Sequence, residues 1–391
     1  MMNFSINSGS SLILFLILNA FYYPDKCNAQ ETYFPDAVWK HKSAEDVNLN
    51  PVLLDSVITL AVQNENTVEK DLRISNLRSY ANEPGYKILG PMKQRGGPAG
   101  IVLKNGYIIA EWGDVSRVDM TFSVTKSYLS TIAGLAVDQG LIKSVDDEVA
   151  SYVWDEYFEG EHNRKITWKQ LLQQSSDWSG SLFGLHDWAD RPPSTGGIDS
   201  WKQRKLNEPG TVFEYNDVRV NILSYALLQV WRKPLPMVLK DKIMDPIGAS
   251  TTWRWMGYDN AFVNLDGMMV QSVSGGGHHG GGIFINTLDM ARFGLLFSRN
   301  GKWKNTQLIS NAWIKDATKP SIPEKKYGYM WWLNTDQSWK SASPSVYYAA
   351  GYGGNYIIVD KENDLVIVLR WANDKVINDI FRLLAQTSNK K

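Results

Sequence analysis

The chain has 391 residues, of which 43% are hydrophobic and 21% charged, proportions typical of a globular protein with a sizeable core. Its 41 Lys and Arg residues balance 41 Asp and Glu residues without a basic block, which argues against a nucleic-acid-binding protein. A single cysteine excludes an internal disulfide bond and a zinc site built from thiolates.

The N-terminal segment has the features of a secretory signal. Residues 12–23 form an apolar run that is too short to span a membrane comfortably. Cys27 and Ala29 place small residues at the −3 and −1 positions of a signal-peptidase site, so we expect residues 1–29 to be removed. This predicts a periplasmic or secreted protein without a stable membrane span. An uncleaved anchor is the alternative, because no Lys or Arg precedes the apolar run.

The first part of the mature chain is predicted to contain two helices and a hairpin. The hairpin signal is Asn105-Gly106 between two apolar runs, and Gly140 ends the second helix. Apolar residues at helical spacing define both helices, and a proline lies near the start of the first. The predicted segments are an irregular stretch, a helix, a charged loop, two strands and a helix, over residues 30–44, 50–63, 64–95, 100–103, 107–112 and 123–139.

The rest of the chain is predicted to be mostly helical as far as residue 310 and then to return to strands. Helices are expected over residues 216–231 and from Thr287 onwards. The C-terminal strands and the closing helix are predicted at residues 327–333, 346–350, 355–359, 365–369 and 376–385. Strands at both ends with helices between them predict an α+β fold: an antiparallel sheet of N- and C-terminal strands, flanked by helices, with an inserted mainly helical lobe.

Ser123 and Lys126 form a Ser-x-x-Lys motif at the predicted start of an apolar helix. Residues three apart share a helix face, so the hydroxyl and the amine would be neighbours. Lysine can take the serine proton only if its pKa is lowered, and we expect burial and the positive helix end to lower it. A serine N-cap followed by a solvated lysine is the alternative. A second match, residues 388–391, lies on a polar tail and is set aside.

Two further segments strengthen the catalytic interpretation of the Ser-x-x-Lys motif. Residues 209–217 read PGTVFEYND and precede a predicted helix, and residues 348–355 read YAAGYGGN and precede a strand. The order Ser-x-x-Lys, Pro-Gly-x-x-Phe-x-Tyr and a glycine-containing strand edge resembles the serine β-lactamase and penicillin-binding-protein superfamily. Within it, residues 45–391 look most similar to class C-related esterases and 6-aminohexanoate-dimer hydrolases.

The resemblance implies a role for each matching residue. Ser123 would be the acylated nucleophile, Lys126 its base and Tyr215 the proton relay to the leaving group. The backbone N–H groups of Ser123 and Tyr352 would form the oxyanion hole. Three further positions would bind substrate: Asp217, Gly351 and Gly353. No metal or cofactor is implied.

The chain departs from the superfamily pattern at two of these places. Asp217 stands where the Tyr-x-Asn motif has asparagine, and an N-cap of the following helix is the simpler interpretation. Ala349 stands where the superfamily has a basic residue that helps to hold a substrate carboxylate. The loss of that cation argues against antibiotic hydrolysis and favours a neutral ester or amide.

A glycine-rich segment, residues 274–282, contains the adjacent His278 and His279. It lacks Gly-Lys-Ser/Thr, so a phosphate-binding loop is not indicated, and adjacent histidines make a poor metal pair. A structural turn is the favoured interpretation, and a loop at the floor of the active site is the alternative. The 16 tryptophans are scattered, which favours core or cleft lining over a sugar-binding platform.

The leading hypothesis from the sequence is an exported serine hydrolase that acts on a small-molecule ester or amide through an acyl-enzyme. A catalytically silent binding protein on the same scaffold is the second hypothesis. A D,D-peptidase or β-lactamase is the third, and Ala349 argues against it. The presence of Ser123, Lys126 and Tyr215 together favours the enzyme.

Overall fold

The computed structural model describes residues 32–387. The predicted signal segment and the C-terminal Ser-x-x-Lys match lie outside the described residues. The helices are α1 Pro51–Gln63, α2 Leu72–Tyr80, α3 Thr125–Asp138, α4 Gly160–Asn163, α5 Trp168–Leu172, α6 Ile198–Lys202, α7 Asp217–Trp231, α8 Leu235–Leu239, α9 Thr287–Ser298, α10 Asn311–Ala317 and α11 Ile377–Thr387. The strands are β1 Ala99–Lys104, β2 Tyr107–Trp112, β3 Asp119–Met120, β4 Ser181–Leu182, β5 Leu185–His186, β6 Arg254–Leu265, β7 Met268–Val273, β8 Gly282–Ile285, β9 Lys302–Trp303, β10 Thr306–Gln307, β11 Trp332–Leu333, β12 Tyr347–Gly351, β13 Asn355–Asp360 and β14 Leu365–Arg370.

The main sheet joins strands from the two ends of the chain. Its six strands run in the order β11-β12-β13-β14-β1-β2, and every neighbouring pair is antiparallel. The hairpin β1–β2 attaches to the C-terminal strands through β14, with Ala99 opposite Arg370. The predicted α+β fold, with a sheet of N- and C-terminal strands, is confirmed.

Both faces of this sheet are covered, because neighbouring residues of its central strands are apolar and point to opposite sides. Ile357 and Val366 belong to the large core on the side of α9 and α3, whereas Ile358 and Ile367 belong to a second core on the side of α1 and α11. The helical lobe between the two groups of strands shares the larger core. Strand β12, which lies next to the edge strand β11, contacts α3 and the turn before it.

Three predictions about secondary structure are wrong. The predicted loop of residues 64–95 contains α2, a polar helix without an apolar stripe that begins at the side-chain cap of Asp71. The middle region is not only helical, because β3, β8, β6 and β7 form a second antiparallel sheet. Its long hairpin turns at Asp266-Gly267, a hairpin signal that the helical prediction passed over. The predicted strand 327–333 shrinks to β11.

Among residues 32–387, no helix combines the length and the apolar character that crossing a membrane requires.

Candidate active site

Ser123 lies in a short 3₁₀ turn, Phe122–Val124, directly before α3. Phe122 has a φ of 51°, which is in the left-handed region and costs a bulky residue about 1–3 kcal/mol. The ring of Tyr352 packs edge-on against the ring of Phe122, with ring centroids 5.2 Å apart, and this contact supports the left-handed conformation. The N-cap position of α3 is Val124, without a side-chain cap, so the interpretation of Ser123 as a helix cap is wrong. The predicted helix start moves two residues along the chain.

The predicted contact between the serine and the lysine is confirmed. Lys126 Nζ lies 2.8 Å from Ser123 Oγ and 3.3 Å from the carbonyl oxygen of Gly275. Lys126 is only 1% exposed, so the alternative of a solvated lysine is wrong. At this distance a proton can pass between the two side chains without further movement.

Asp217 forms a buried ion pair with this lysine. Its Oδ1 lies 2.7 Å from Lys126 Nζ, and both side chains are almost completely buried. The cap of α7 is Asn216, whose side chain accepts a hydrogen bond from Arg219 N. The interpretation of Asp217 as the helix cap is therefore wrong, and the carboxylate is free to face the active-site lysine.

The ion pair reverses the expected direction of the Lys126 pKa shift. Burial lowers the pKa of Lys126, but the charge of Asp217, with smaller contributions from Tyr215 and the Asp217 hydrogen bond, raises it by more. The pKa therefore lies above its ordinary value, and the resting enzyme holds an ammonium group against Ser123. The expectation of a lowered pKa failed because Asp217 was interpreted as a helix cap, so its charge was not weighed against the effect of burial.

The second oxygen of Asp217 belongs to a larger cluster of charges. Asp217 Oδ2 lies 2.8 Å from Arg191 Nη2 and 3.5 Å from His278 Nδ1. Arg191 also binds both oxygens of Asp190, at 2.8 and 2.9 Å. His278 lies 3.6 Å from Asp190 through Nδ1 and 3.3 Å from Glu83 through Nε2. The predicted glycine-rich turn thus brings a histidine against the active-site carboxylate.

The two adjacent histidines of this turn have opposite pKa shifts. Burial opposes the charge of His278, but the carboxylates of Asp217 and Glu83 outweigh it and raise its pKa to about 9. Burial and the neighbouring charge of His278 lower the pKa of His279 to about 4. His278 is therefore an imidazolium at neutral pH, whereas His279 is neutral.

Asp190, His278 and His279 bring possible metal ligands within 4.8 Å of one another. Each of them already has a partner within the chain. Arg191 occupies both oxygens of Asp190, and His279 Nδ1 lies 3.0 Å from the carbonyl oxygen of Lys87. The positive charges of Arg191 and His278 beside Asp190 also oppose a cation, so we assign no metal to this group.

Ser123 opens onto a cleft of about 540 Å³ whose lining combines aromatic rings with polar and charged side chains. The cross-strand register explains this lining, because Trp332 lies opposite Tyr348 and Ala350 lies opposite Tyr356 on one face of the sheet. The cleft is lined by Ser123, Arg191, Tyr215, Trp332, Ser338, Trp339, Tyr348, Ala350, Tyr352, Tyr356, Asp374, Lys375 and Asn378. It is large enough for a small organic substrate.

Tyr215 lies in this cleft between the catalytic pair and the aromatic wall. Its ring centroid is 5.0 Å from Lys126 Nζ and 5.3 Å from the guanidinium carbon of Arg191. The ring stacks against Trp332 at 5.9 Å. The structure thus brings Ser123, Lys126 and Tyr215 together at one end of the cleft.

The other sequence-predicted residues lie close by but contribute no side chain to the cleft wall. Asp217 is buried, and Gly351 lies against the nucleophile turn, where an added Cβ would be 2.0 Å from the carbonyl oxygen of Thr121. Gly353 has a φ of 80° and packs against the ring of Trp371. Their assignment to substrate binding stays a prediction.

Tyr352, the predicted second oxyanion residue, lines the cleft and is anchored from outside it. Its hydroxyl lies 2.8 Å from Ser75 Oγ and 2.9 Å from Ser79 Oγ, both on α2. These contacts and the ring of Phe122 fix the chain at the end of β12 beside Ser123. The contribution of the Ser123 and Tyr352 N–H groups to an oxyanion hole stays a prediction.

The sequence interpretation missed two charged residues of the site, Glu83 and Arg191, and it named His278 only as part of a glycine-rich loop at the floor of the active site, the less favoured alternative to a structural turn. A signal for such partners existed in Asp217, since a carboxylate in place of an amide beside a catalytic lysine needs compensating charge. Which residues supply that charge depends on the packing of three distant loops and could not be read from spacing. The structure also shows that Ala349 is buried on the core side of β12, and that Ala350 lines the cleft.

A buried Ser-x-x-Lys pair, a tyrosine beside it and a cleft at the edge of an antiparallel sheet define a serine hydrolase with a β-lactamase-like fold. The family model described as Beta-lactamase matches residues 104–381, and the chain belongs to this family. Structural comparison agrees with this assignment.

Two solved structures show how widely the fold is shared. One is a provisionally named 6-aminohexanoate-dimer hydrolase from Bacillus anthracis, with 15% identity, a TM-score of 0.52 and coverage of 74% of this chain and 77% of that one. The other is a β-lactamase/D-alanine carboxypeptidase from Pseudomonas syringae, with 12% identity, a TM-score of 0.52 and coverage of 81% and 98%. At these identities the comparison establishes the fold alone.

Curated relatives match only part of the chain. A protein of Escherichia coli O157:H7, provisionally named a D-alanyl-D-alanine carboxypeptidase, is 22% identical over 205 residues. The match covers 41% of this chain and 45% of the relative, so the chain spans less than half the length of the relative it matches.

Proposed function

We propose that the protein is an exported hydrolase that cleaves a small-molecule ester or amide through an acyl-enzyme on Ser123. The observation that carries this proposal is the 2.8 Å contact between Lys126 Nζ and Ser123 Oγ at the end of an open cleft. Tyr215 lines the same cleft, so a nucleophile, a base and a proton carrier meet where a substrate carbonyl can enter.

Lys126 accepts the Ser123 proton in the minority of molecules in which the lysine amine is neutral. The Ser123 oxygen then forms a bond to the acyl carbon, and the N–H groups of Ser123 and Tyr352 stabilise the oxyanion. Tyr215 passes the proton to the leaving group as its bond to the acyl carbon breaks. Water hydrolyses the acyl-enzyme by the same proton transfers in reverse.

The cleft supports a neutral substrate with an apolar acyl group. Trp339, Tyr348 and Tyr356 surround the small side chain of Ala350, which leaves room for a flat or chain-like group between aromatic rings. Arg191 also lines the cleft, but two carboxylates already neutralise it. This arrangement favours an ester or amide over an anionic antibiotic.

A D-alanyl peptidase is the second candidate function. The name of the Escherichia coli relative points to it. Lys375, at the rim of the cleft, has no ion-pair partner among the described residues and could meet a peptide carboxylate. The adjacent Asp374 lines the same rim and weakens this cationic site.

A fluorophosphonate probe tests the nucleophile without knowledge of the substrate. Intact-mass measurement should show one label per molecule, located on Ser123 by peptide mapping, and Ser123→Ala should abolish it while the melting temperature stays nearly unchanged. Labelling of a different serine would rule out Ser123 as the nucleophile, and the absence of any labelling would favour the binding protein.

Export is proposed from the sequence alone. Cleavage after Ala29 should give a periplasmic or secreted protein that begins at Gln30. N-terminal sequencing of the protein recovered outside the cytoplasm checks this, and a retained segment 1–29 would instead indicate an anchor.

A further inference from the structure

The active-site lysine belongs to a buried cluster in which three anions face three cations. A buried charge is costly unless an opposite charge compensates it, so the protonation of each member affects the others. The anions are Glu83, Asp190 and Asp217, and the cations are Lys126, Arg191 and His278 in its protonated form. Four of these side chains are at most 2% exposed: Lys126, Asp190, Asp217 and His278.

Asp217 divides its two oxygens between two sets of partners. Oδ1 contacts Lys126 Nζ at 2.7 Å, and Oδ2 faces Arg191 at 2.8 Å and His278 at 3.5 Å. A carboxylate that shares its charge with two further cations attracts the lysine less strongly than one that does not. His278 therefore acts on Lys126 through Asp217.

The ring of His278 is held rigidly in this position. It stacks on Tyr80 with ring centroids 4.0 Å apart and lies tilted against His279 at the same centroid distance, and its two nitrogens face carboxylates on opposite sides. The titratable and charged groups that face it are Tyr80, Glu83, Asp190, Arg191, Asp217 and His279. Its neighbours are thus mainly carboxylates, which favour its protonated form.

We infer that His278 is a positioning residue for Ser123 acylation, since its imidazolium shares the Asp217 carboxylate and so leaves Lys126 freer to take the Ser123 proton. The inference rests on the proposed function. When His278 loses its charge, Asp217 keeps Lys126 closer and more firmly protonated, and the cluster carries an uncompensated negative charge. The nucleophile itself is untouched.

The test compares the full-length enzyme with His278→Gln over a range of pH. Glutamine keeps a hydrogen-bonding group near Glu83 but carries no charge at any pH. The rate constant for fluorophosphonate labelling of Ser123 is measured for both proteins from about pH 7 to about pH 10.5, and the ratio of wild type to variant is plotted. Any titration that the two proteins share cancels in this ratio.

We expect the ratio to be roughly 10 to 100 near pH 7, the size of effect that a small misplacement of a reacting group produces. It should fall towards one around pH 9, where wild-type His278 loses its proton. A purely structural role would reduce the rate of the variant equally at all pH values.

Two companion variants locate the effect. Glu83→Gln removes one carboxylate beside His278 and should lower the pKa of that histidine. The ratio of labelling rates between Glu83→Gln and the double variant Glu83→Gln/His278→Gln should therefore have a midpoint about one pH unit or more below that of the first ratio. His279→Asn is the matched control, because it alters the neighbouring buried histidine, which is already neutral and can keep its contact with the Lys87 carbonyl oxygen. Its ratio to wild type should not change with pH.

Each outcome is decisive. A pH-independent ratio for His278→Gln, or a midpoint that Glu83→Gln leaves in place, overturns the inference while Ser123 is still labelled. If Ser123 is labelled neither in the wild type nor in any variant, the proposed function has failed instead. If His278→Gln does not fold, the wild type and Glu83→Gln still provide the test, because their rate ratio should change with pH between about 7 and 9.

Discussion

Two opposing effects, burial and the charge of Asp217, govern how easily Lys126 can exchange its proton with Ser123. Burial acts to remove the charge of the lysine, and Asp217 acts to keep it, and the balance lies with Asp217. In the Tyr-x-Asn pattern that residues 215–217 resemble, the third residue is a neutral amide. The carboxylate in this chain therefore stabilises the ammonium form of Lys126. We expect it to move the pH dependence of Ser123 acylation to higher pH.

Asp217→Asn should shift the pH dependence of Ser123 acylation to lower pH. The negative charge of Asp217 raises the pKa of Lys126, so its removal lowers that pKa and increases the neutral fraction at pH 7. The displacement should be about one pH unit or more, with the labelling rate of Ser123 as the measurement.

Asp190→Asn is the matched control for this experiment. Asp190 is as deeply buried and also binds Arg191, but its described contacts do not include Lys126. Both variants should lose about 3–5 kcal/mol of stability, because each leaves buried cations without an anion. If the pH profile moves equally in both, or in neither, the Lys126–Asp217 pair does not control acylation.

The sequence was most informative about residues whose roles follow from local spacing. The distance of three residues between Ser123 and Lys126 on a helix start was enough to predict their contact, which the structure confirms. The contact between Lys126 and Asp217 joins two different helices, and no local pattern predicts it. The sign of the Lys126 pKa shift was therefore wrong even though both residues had been singled out.

At the scale of elements, the end of β12 positions the nucleophile turn. The backbone of Gly351 passes so close to Thr121 that a Cβ atom would lie 2.0 Å from its carbonyl oxygen. Tyr352 follows and is tied by its hydroxyl to α2. The end of β12 and the turn that carries Ser123 therefore form one closely packed unit.

Gly351→Ala should separate this unit. The added methyl group forces β12 away from Thr121 and from the turn that carries Ser123. This should lower Ser123 labelling by roughly 100-fold and reduce the melting temperature. Gly97→Ala is the control, because an added Cβ at Gly97 meets nothing within 4 Å. Normal labelling in Gly351→Ala would show that the close approach is unimportant for the site.

Elements with a regular pattern of apolar residues were predictable, and elements held by specific contacts were not. The strands β13 and β14 are apolar at nearly every position because both faces of the sheet are covered, and their bounds match the prediction within a residue or two. The helix α2 has few apolar residues and is defined by its cap and by its bonds to Tyr352. Such a helix carries no periodic signal.

At the scale of the whole molecule, the cleft lies where the sheet edge faces the helical lobe. Its walls come from β11, β12 and β13 on one side, and its catalytic end comes from the turn before α3 and from Tyr215 before α7. Aromatic rings line the far end together with Asp374 and the exposed Lys375, whereas Arg191 lies near Tyr215 and is neutralised by two carboxylates. These features support the proposal of an apolar acyl group over a charged one.

Short p-nitrophenyl esters should therefore be hydrolysed faster than nitrocefin, a chromogenic cephalosporin that carries a carboxylate. We expect kcat/KM to differ by about 100-fold or more, and Trp339→Ala to lower it selectively for longer acyl chains by about 1–3 kcal/mol of binding. A larger kcat/KM for nitrocefin would restore the β-lactamase alternative.

The pairing of β1 with β14 has a consequence for how the protein is made. One edge of β1, at residues 99–104, pairs with residues 365–370, so the main sheet cannot close before those residues are present. Until then the hairpin β1–β2 has an unpaired edge and the nucleophile turn has no strand to rest on. A chain truncated before residue 365 should therefore neither label with the probe nor resist proteolysis, whereas the full chain should do both.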